Sequence, residues 1–270
     1  MFSKFFHNAH GSSLAAKAVI GMGVLGMMAG ASSAKAGIVY QDNFARGTTG
    51  TPMALNASTP SPTDTGSATW AAGADYTTNG TEASDTGTAS QMAYLPLSIA
   101  SNTVYTLSVT LTPTSPTNSN PDWLAMGFGG LSNEINNISW SGGAINNPNE
   151  EAWLLYGVNG STQSFYGGGT SHTASGKTGT AGVPDTFTIT LNSSTGAVAF
   201  SDTLNLLSST GTLTSTEMAN ISQVNIGNDY AVGNFQAFTL STPSVPEPAS
   251  LGLLAVGGLG LLLVGKRRHA

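Results

Sequence analysis

Between residues 104 and 111, Tyr105, Leu107, Val109 and Leu111 alternate with Thr106, Ser108 and Thr110. A period of two predicts a half-buried strand. Residues 186–191 repeat it, with Phe187, Ile189 and Leu191 set against Thr186, Thr188 and Thr190; the turn at 192–196 then leads into 197–200, predicting a hairpin. Residues 123–128 are apolar almost throughout and predict a more continuously buried strand, ended by Gly129-Gly130. Residues 152–158 predict another strand, with Asn159-Gly160 as its hairpin turn and 163–166 as its partner. Further strands are expected at 38–44, 91–97, 224–226 and 235–240, and Pro96 limits 91–97 to an edge or a strand end. Residues 46–90, with Trp70 and Tyr76 as isolated anchors, and residues 167–182 read as long flexible loops. One helix is expected near 214–219, capped by Ser215 or Thr216. About ten short strands with nearly no helix predict an all-β fold, an antiparallel two-sheet β-sandwich, over residues 37–242.

The two ends follow a different pattern. Lys4, His7, His10 and Lys17 lie in a basic leader, residues 18–30 are an apolar run, and Ala34-Lys35-Ala36 fits a small-x-small cleavage site. Residues 1–36 therefore predict a signal peptide helix cut after Ala36, leaving Gly37 as the new N-terminus, with Ala34 as the alternative point. Residues 243–270 hold Pro246-Glu247-Pro248, an uncharged run over 249–265, and then Lys266, Arg267 and Arg268. The run would make a transmembrane helix of about 25 Å, near the lower limit for crossing a bilayer. The three bases would stop transfer on the cytoplasmic side. This order of triplet, apolar run and basic tail resembles the PEP-CTERM signal of exported bacterial proteins. The resemblance implies export through the inner membrane by the general secretion machinery and cutting near the triplet by an exosortase. It also implies a destination in the cell envelope, cell surface or extracellular matrix, and a link to exopolysaccharide-producing bacteria.

Charge narrows what the middle can do. Residues 37–245 carry 13 acids and two bases, Arg46 and Lys177, a net charge of −11. With no basic footprint to neutralise phosphates, nucleic acid is not an expected partner. Cysteine is absent, so stability must come from burial and sheet hydrogen bonding rather than disulfides.

Catalytic groups are sparse. His172 is the sole histidine between the two ends and reads as a solvated loop residue. A His- or Cys-rich zinc site is excluded, and no Gly-x-Ser-x-Gly elbow precedes a helix. Glu150 and Glu151 are adjacent and would point to opposite faces of a strand, while Asp122 and Glu134 stand alone; pairs formed across strands remain open. No catalytic residue is assigned and no cofactor is required. A structural calcium is one candidate, with Asp42 near the first strand and Asp229 near the last as its ligands if those strands pair. Trp123 and Trp153 begin apolar strands and read as core, whereas Trp140 and Tyr166, flanked by Ser and Gly, are the candidate sugar-stacking residues.

Asp42-Asn43-Phe44, the strand at Tyr105-Thr106-Leu107, the segment from Asp122 to Phe128, and Gly227-Asn228-Asp229 with 235–240 resemble a concanavalin A-like, laminin-G-like jelly roll. That resemblance implies first and last strands lying close together. The glucanases sharing such folds carry a Glu-x-Asp-x-x-Glu strand, which is missing here. The expected function is a non-catalytic surface or matrix component that binds polysaccharide, with a secreted glycan hydrolase or a matrix filler without specific ligand as alternatives.

Overall fold

The alternating segments form the strands they predict. The computed structural model describes residues 37–243 apart from 49, 65–67, 87–90, 115–122, 131–139, 142–143, 146–149, 168–170 and 229–232, and at 62–64, 140–141, 144–145, 150 and 171–178 it describes the backbone only. The predicted signal peptide with Ala36, the Pro246-Glu247-Pro248 triplet, the apolar run, Lys266, Arg267, Arg268 and Asp229 lie outside the described residues. No described helix is long and apolar enough to cross a membrane.

Among the described residues, one antiparallel sheet has ten strands: β1 (Gly37–Asp42), β2 (Met53–Ala54), β3 (Pro62–Asp64), β5 (Tyr76–Thr78), β6 (Ala83–Asp85), β8 (Val104–Pro113), β15 (Asp185–Asn192), β16 (Ala197–Asp202), β17 (Ser208–Thr212) and β19 (Gly233–Thr242). The other has seven: β4 (Ala71–Ala72), β7 (Gln91–Pro96), β9 (Trp123–Gly129), β12 (Glu150–Gly157), β13 (Ser161–Tyr166), β14 (Ser171–Thr178) and β18 (Gln223–Asn228). A small hairpin pairs β10 (Trp140–Ser141) with β11 (Ala144–Ile145). The seven-stranded sheet runs in the order β14-β13-β12-β9-β18-β7-β4. First and last strands do pair: Gly37 lies opposite Thr242, and Asp42 opposite Phe238.

Leu107, Val109 and Leu111 of β8, Phe187 and Ile189 of β15, and Phe238 and Leu240 of β19 face inward and are fully buried. They meet Leu124, Met126 and Phe128 of β9, Leu154 and Tyr156 of β12, and Val224 and Ile226 of β18 in one continuous core. Each such side chain contributes roughly 1.5–3 kcal/mol by leaving water. Thr106, Ser108 and Thr110, the polar partners in the β8 alternation, are only half-buried.

Three expectations are corrected. Residues 171–178 form strand β14 rather than part of a loop, because β13 offers its open edge. Residues 46–90 are not simply loops: five short strands lie there, and Trp70 and Tyr76 are core residues at 1% and 0% exposure. The expectation for β7 holds in its second form: β4 flanks its Ala93 and Tyr94, and Pro96 sits at the strand end. Helix α1 (Ser215–Asn220) is capped by Thr214, one residue earlier than expected. Thr214 Oγ1 accepts from the Glu217 N–H and the Glu217 carboxylate accepts from the Thr214 N–H, a reciprocal capping box.

Candidate functional site

The strands β9 and β12 are apolar on both faces, and the reason is a second core. Leu124, Met126 and Phe128 point between the sheets, so Trp123, Ala125 and Gly127 occupy the outer face of the seven-stranded sheet. On β12 the same parity puts Ala152, Leu154 and Tyr156 inside and Trp153 and Leu155 outside. Met92 from β7 and Phe165 from β13 complete this outer cluster, in which every member is buried.

Register assembles the cluster. Trp153 lies opposite Gly127 on one side and Phe165 on the other, and Gly127 lies opposite Asn225. A side chain at position 127 would run into Trp153, which explains the glycine. The Trp153 and Phe165 rings are stacked at 4.5 Å, and Trp123 meets Trp153 edge-on at 6.5 Å. Beside them the floor of β18 presents small and amide positions: Asn225 opposite Gly127 and Tyr94, and Gly227 opposite Ala125 and Met92. Asn225 and Gln223 are both buried, and Tyr94 is half-buried.

The polar atoms of this cluster carry its message. The indole N–H groups of Trp123 and Trp153 are buried and have no hydrogen-bond partner. A buried donor left unpaired costs about 1–3 kcal/mol, so native structures almost always satisfy it.

The residues singled out from sequence have different fates. Tyr166, the expected surface ligand contact, is half-buried and packs against the core. It shares the inward parity of Ser164, whose hydroxyl bonds Ser209 across the sandwich at 2.6 Å. Its ring lies over Gly211 of β17, where a Cβ would approach the ring to 2.7 Å, and it packs against the main core. Trp140 lies in the β10–β11 hairpin, and its side chain is not among the described ones. Trp123 and Trp153 are buried as expected, but in the outer cluster rather than between the sheets. His172 stands at the register position opposite Phe165, in a strand rather than the expected loop.

Asp42, one of the two expected calcium ligands, is engaged by nitrogen donors. Its Oδ1 accepts from the Phe44 N–H at 2.7 Å, while Oδ2 accepts from Arg46 at 2.6 Å and from the Trp70 indole at 2.7 Å. Arg46 also donates to the Thr59 carbonyl at 2.8 Å. A cation would have to displace a guanidinium.

Two carboxylates do meet across strands, which local spacing left open. Asp185 opens β15 and Asp202 closes β16. Burial pushes the Asp185 carboxyl above the usual carboxylate range, a hydrogen bond from Thr203 opposes this, and Asp202 adds to the rise. Elsewhere, Glu151 is 1% exposed and accepts from Asn220 of α1 at 2.9 Å. Among the described residues no three or more His, Cys, Asp or Glu side chains gather at one place.

Comparison with known proteins decides one matter. Residues 244–268 match the PEP-CTERM protein-sorting motif. That motif marks proteins exported across the inner membrane to the cell envelope or surface, and it implies exosortase processing; the chain is an exported one. No curated protein matches the sequence. In fold, the chain is similar to concanavalin A-like lectin and glucanase jelly rolls. The carbohydrate recognition domain of Emp47p is 13% identical, with a TM-score of 0.49 over 80% of this chain and 99% of that one. An endo-1,3-beta-glucanase from Streptomyces sioyaensis is 12% identical, with a TM-score of 0.48 over 78% of this chain and 97% of that one. The exoplasmic/lumenal domain of VIP36 in its Ca2+/Man-bound form is 8% identical, with a TM-score of 0.48 over 76% and 91%.

Proposed function

We propose that this exported protein is a non-catalytic component of the cell surface or extracellular matrix that binds polysaccharide on the outer face of its seven-stranded sheet. One observation carries the reading: two edge-packed tryptophans, Trp123 and Trp153, whose N–H groups lack acceptors. A sugar hydroxyl oxygen reaching this cluster would supply the acceptor that each indole N–H lacks. The buried amides of Gln223 and Asn225 and the half-buried Tyr94 add polar groups along the same face.

The hydrolase alternative has less support. Glycosidases that use paired carboxylates hold them about 5–9.5 Å apart across the sugar. Asp185 and Asp202 belong to the strands of the other sheet, and Asp185 is buried away from any sugar that the outer face could bind.

Affinity electrophoresis of the mature protein through gels containing bacterial exopolysaccharide or β-glucan tests the proposal. Retardation is expected, and the double variant Trp123→Phe, Trp153→Phe should lose it, because it removes the N–H groups while keeping aromatic bulk. Retardation unchanged in the folded variant, or absent with every polysaccharide, would refute it.

A further inference from the structure

At the mouth of the β15–β16 hairpin the chain builds a nest of donors around two acids. Asp185 is 1% exposed. Its Oδ1 accepts from the Thr203 hydroxyl at 2.7 Å, the Thr203 N–H at 3.1 Å and the Leu204 N–H at 3.3 Å. Asp202 accepts from the Leu206 N–H at 2.8 Å and from the Leu207 N–H. The 203–207 turn thus positions both carboxylates, yet it leaves Asp185 Oδ2 buried with no donor. Asp202 lies near enough for its charge to help raise the Asp185 carboxyl above the usual carboxylate range, after burial.

A third group arrives from the opposite sheet. Tyr156 of β12 is 0% exposed and its hydroxyl has no partner. The hydroxyl lies against Gly179, where any Cβ would strike it, and Leu206 Cδ1 stands 2.9 Å from that same Cβ position. Gly179 is itself fixed by its N–H to the Gly160 carbonyl at 2.8 Å. The phenol therefore ends beside the turn that carries Asp202, and it feels the charges of both acids. One buried carboxylate oxygen, Asp185 Oδ2, and one buried hydroxyl, that of Tyr156, are thus left without partners beside the turn that holds Asp202.

We propose that Asp185, Asp202 and Tyr156 form a binding site for a calcium ion. Hard oxygen donors select hard cations over zinc or copper. Two carboxylates match a double positive charge. Residues 37–245 hold one arginine, Arg46, and it is bonded to Asp42 in another part of the fold. Calcium takes six to eight oxygens and accepts irregular geometry, so water fills the positions that the three side chains leave. Magnesium, with its stricter octahedron and reluctance to shed water, fits less well. The ion would join β15 and β16 of one sheet to β12 of the other, giving a cysteine-free exported domain a cross-link between its layers. This inference is independent of the polysaccharide reading, whose residues lie on the outer face of the seven-stranded sheet.

The test uses the mature exported protein stripped with EGTA. Calcium chloride is titrated by calorimetry and by thermal melting. Saturable binding is expected, with a dissociation constant of about 0.1–1 mM as in extracellular modules, together with a rise in melting temperature. Asp185→Asn and Asp202→Asn should each weaken binding at least tenfold, whereas Asp42→Asn should leave it unchanged. Tyr156→Phe, which keeps the core filled, provides a variant that does not depend on the acids for folding. Terbium luminescence excited through tyrosine should fall in it by more than half. Calcium that gives neither heat nor a melting shift overturns the proposal and leaves a proton shared between the two carboxyls as the account of the site. Binding that survives unchanged in Tyr156→Phe and in whichever Asp variant folds also overturns it.

Discussion

Arg46→Ala is expected to destabilise the sandwich by about 3 kcal/mol. Arg46 and Asp42 form an ion pair at 2.6 Å whose side chains are 14% and 0% exposed. Breaking one partner out of a buried pair typically costs roughly 3–5 kcal/mol, because the other charge stays behind in a poor solvent. The lower end applies here. Asp42 would keep the Trp70 indole and the Phe44 N–H, two charge-assisted bonds that soften the loss. The damage should still spread, because Asp42 also holds Phe44 in a left-handed backbone conformation, φ 55°, that a bulky residue adopts only under constraint. Phe44 packs on Trp70 at 6.1 Å, and Trp70 packs edge-on against Phe238 at 5.1 Å. For a domain of this size each kcal/mol moves the melting temperature by about 2–4 °C, so the expected fall is roughly 6–12 °C. Urea unfolding followed by tryptophan fluorescence would measure it, and Trp70 sits at the perturbed site. Arg46→Lys should lie between the two, since it keeps charge but loses the second donor to Thr59. A loss below about 1 kcal/mol would refute the reasoning. Rescue of Arg46→Ala by calcium would restore Asp42 as a metal ligand, contrary to what its donors imply.

Three further outcomes are expected. Gly211→Ala should cost about 1–3 kcal/mol by pressing a methyl into the Tyr166 ring, and Tyr166→Ala in the same chain should relieve part of that penalty; additive losses in urea unfolding would show that the two residues do not touch. Burial, and secondarily the charge of Asp85, pushes the Tyr76 phenol well above the usual tyrosine range. The unfolded chain therefore ionises at about pH 10 while the folded one does not, and stability falls as pH rises beyond that value. Tyr76→Phe should unfold at a higher pH than the parent in alkaline titrations read at 295 nm; an unchanged midpoint would count against it. Intact-mass analysis of protein from cells and medium should find a chain beginning at Gly37 and ending near Pro246, and full-length protein soluble in the cytosol would contradict the two predicted processing points.

Much of the fold was legible because sheet burial writes itself into adjacent residues. The period of two in β8 and β15 and the unbroken apolar run of β9 each translate directly into one or two buried faces. Where that signal is weak, so was the reading. Residues 171–178, Ser-His-Thr-Ala-Ser-Gly-Lys-Thr, contain no apolar alternation, and their strand exists because β13 offers an unpaired edge. β17, Ser-Ser-Thr-Gly-Thr, is held on β16 in the same way. The apolar runs of β9 and β12 did signal burial on both sides, and a strand buried on both faces needs two layers of cover. Placing Trp123 and Trp153 in the outer layer, however, required knowing which parity faces the other sheet.

By itself the sequence determined the address at the C-terminus, the all-β class and the hairpins at 159–160 and 192–196, because each is encoded in contiguous residues. The tertiary structure decided which aromatic rings share a face, that Tyr166 rests on Gly211, that Asp42 holds Trp70 from 28 positions away, and that Asp185, Asp202 and Tyr156 converge. The physical reason is range. Turn and pleat preferences act over a few bonds, whereas a binding site forms where register and sheet packing bring together residues that no local pattern links.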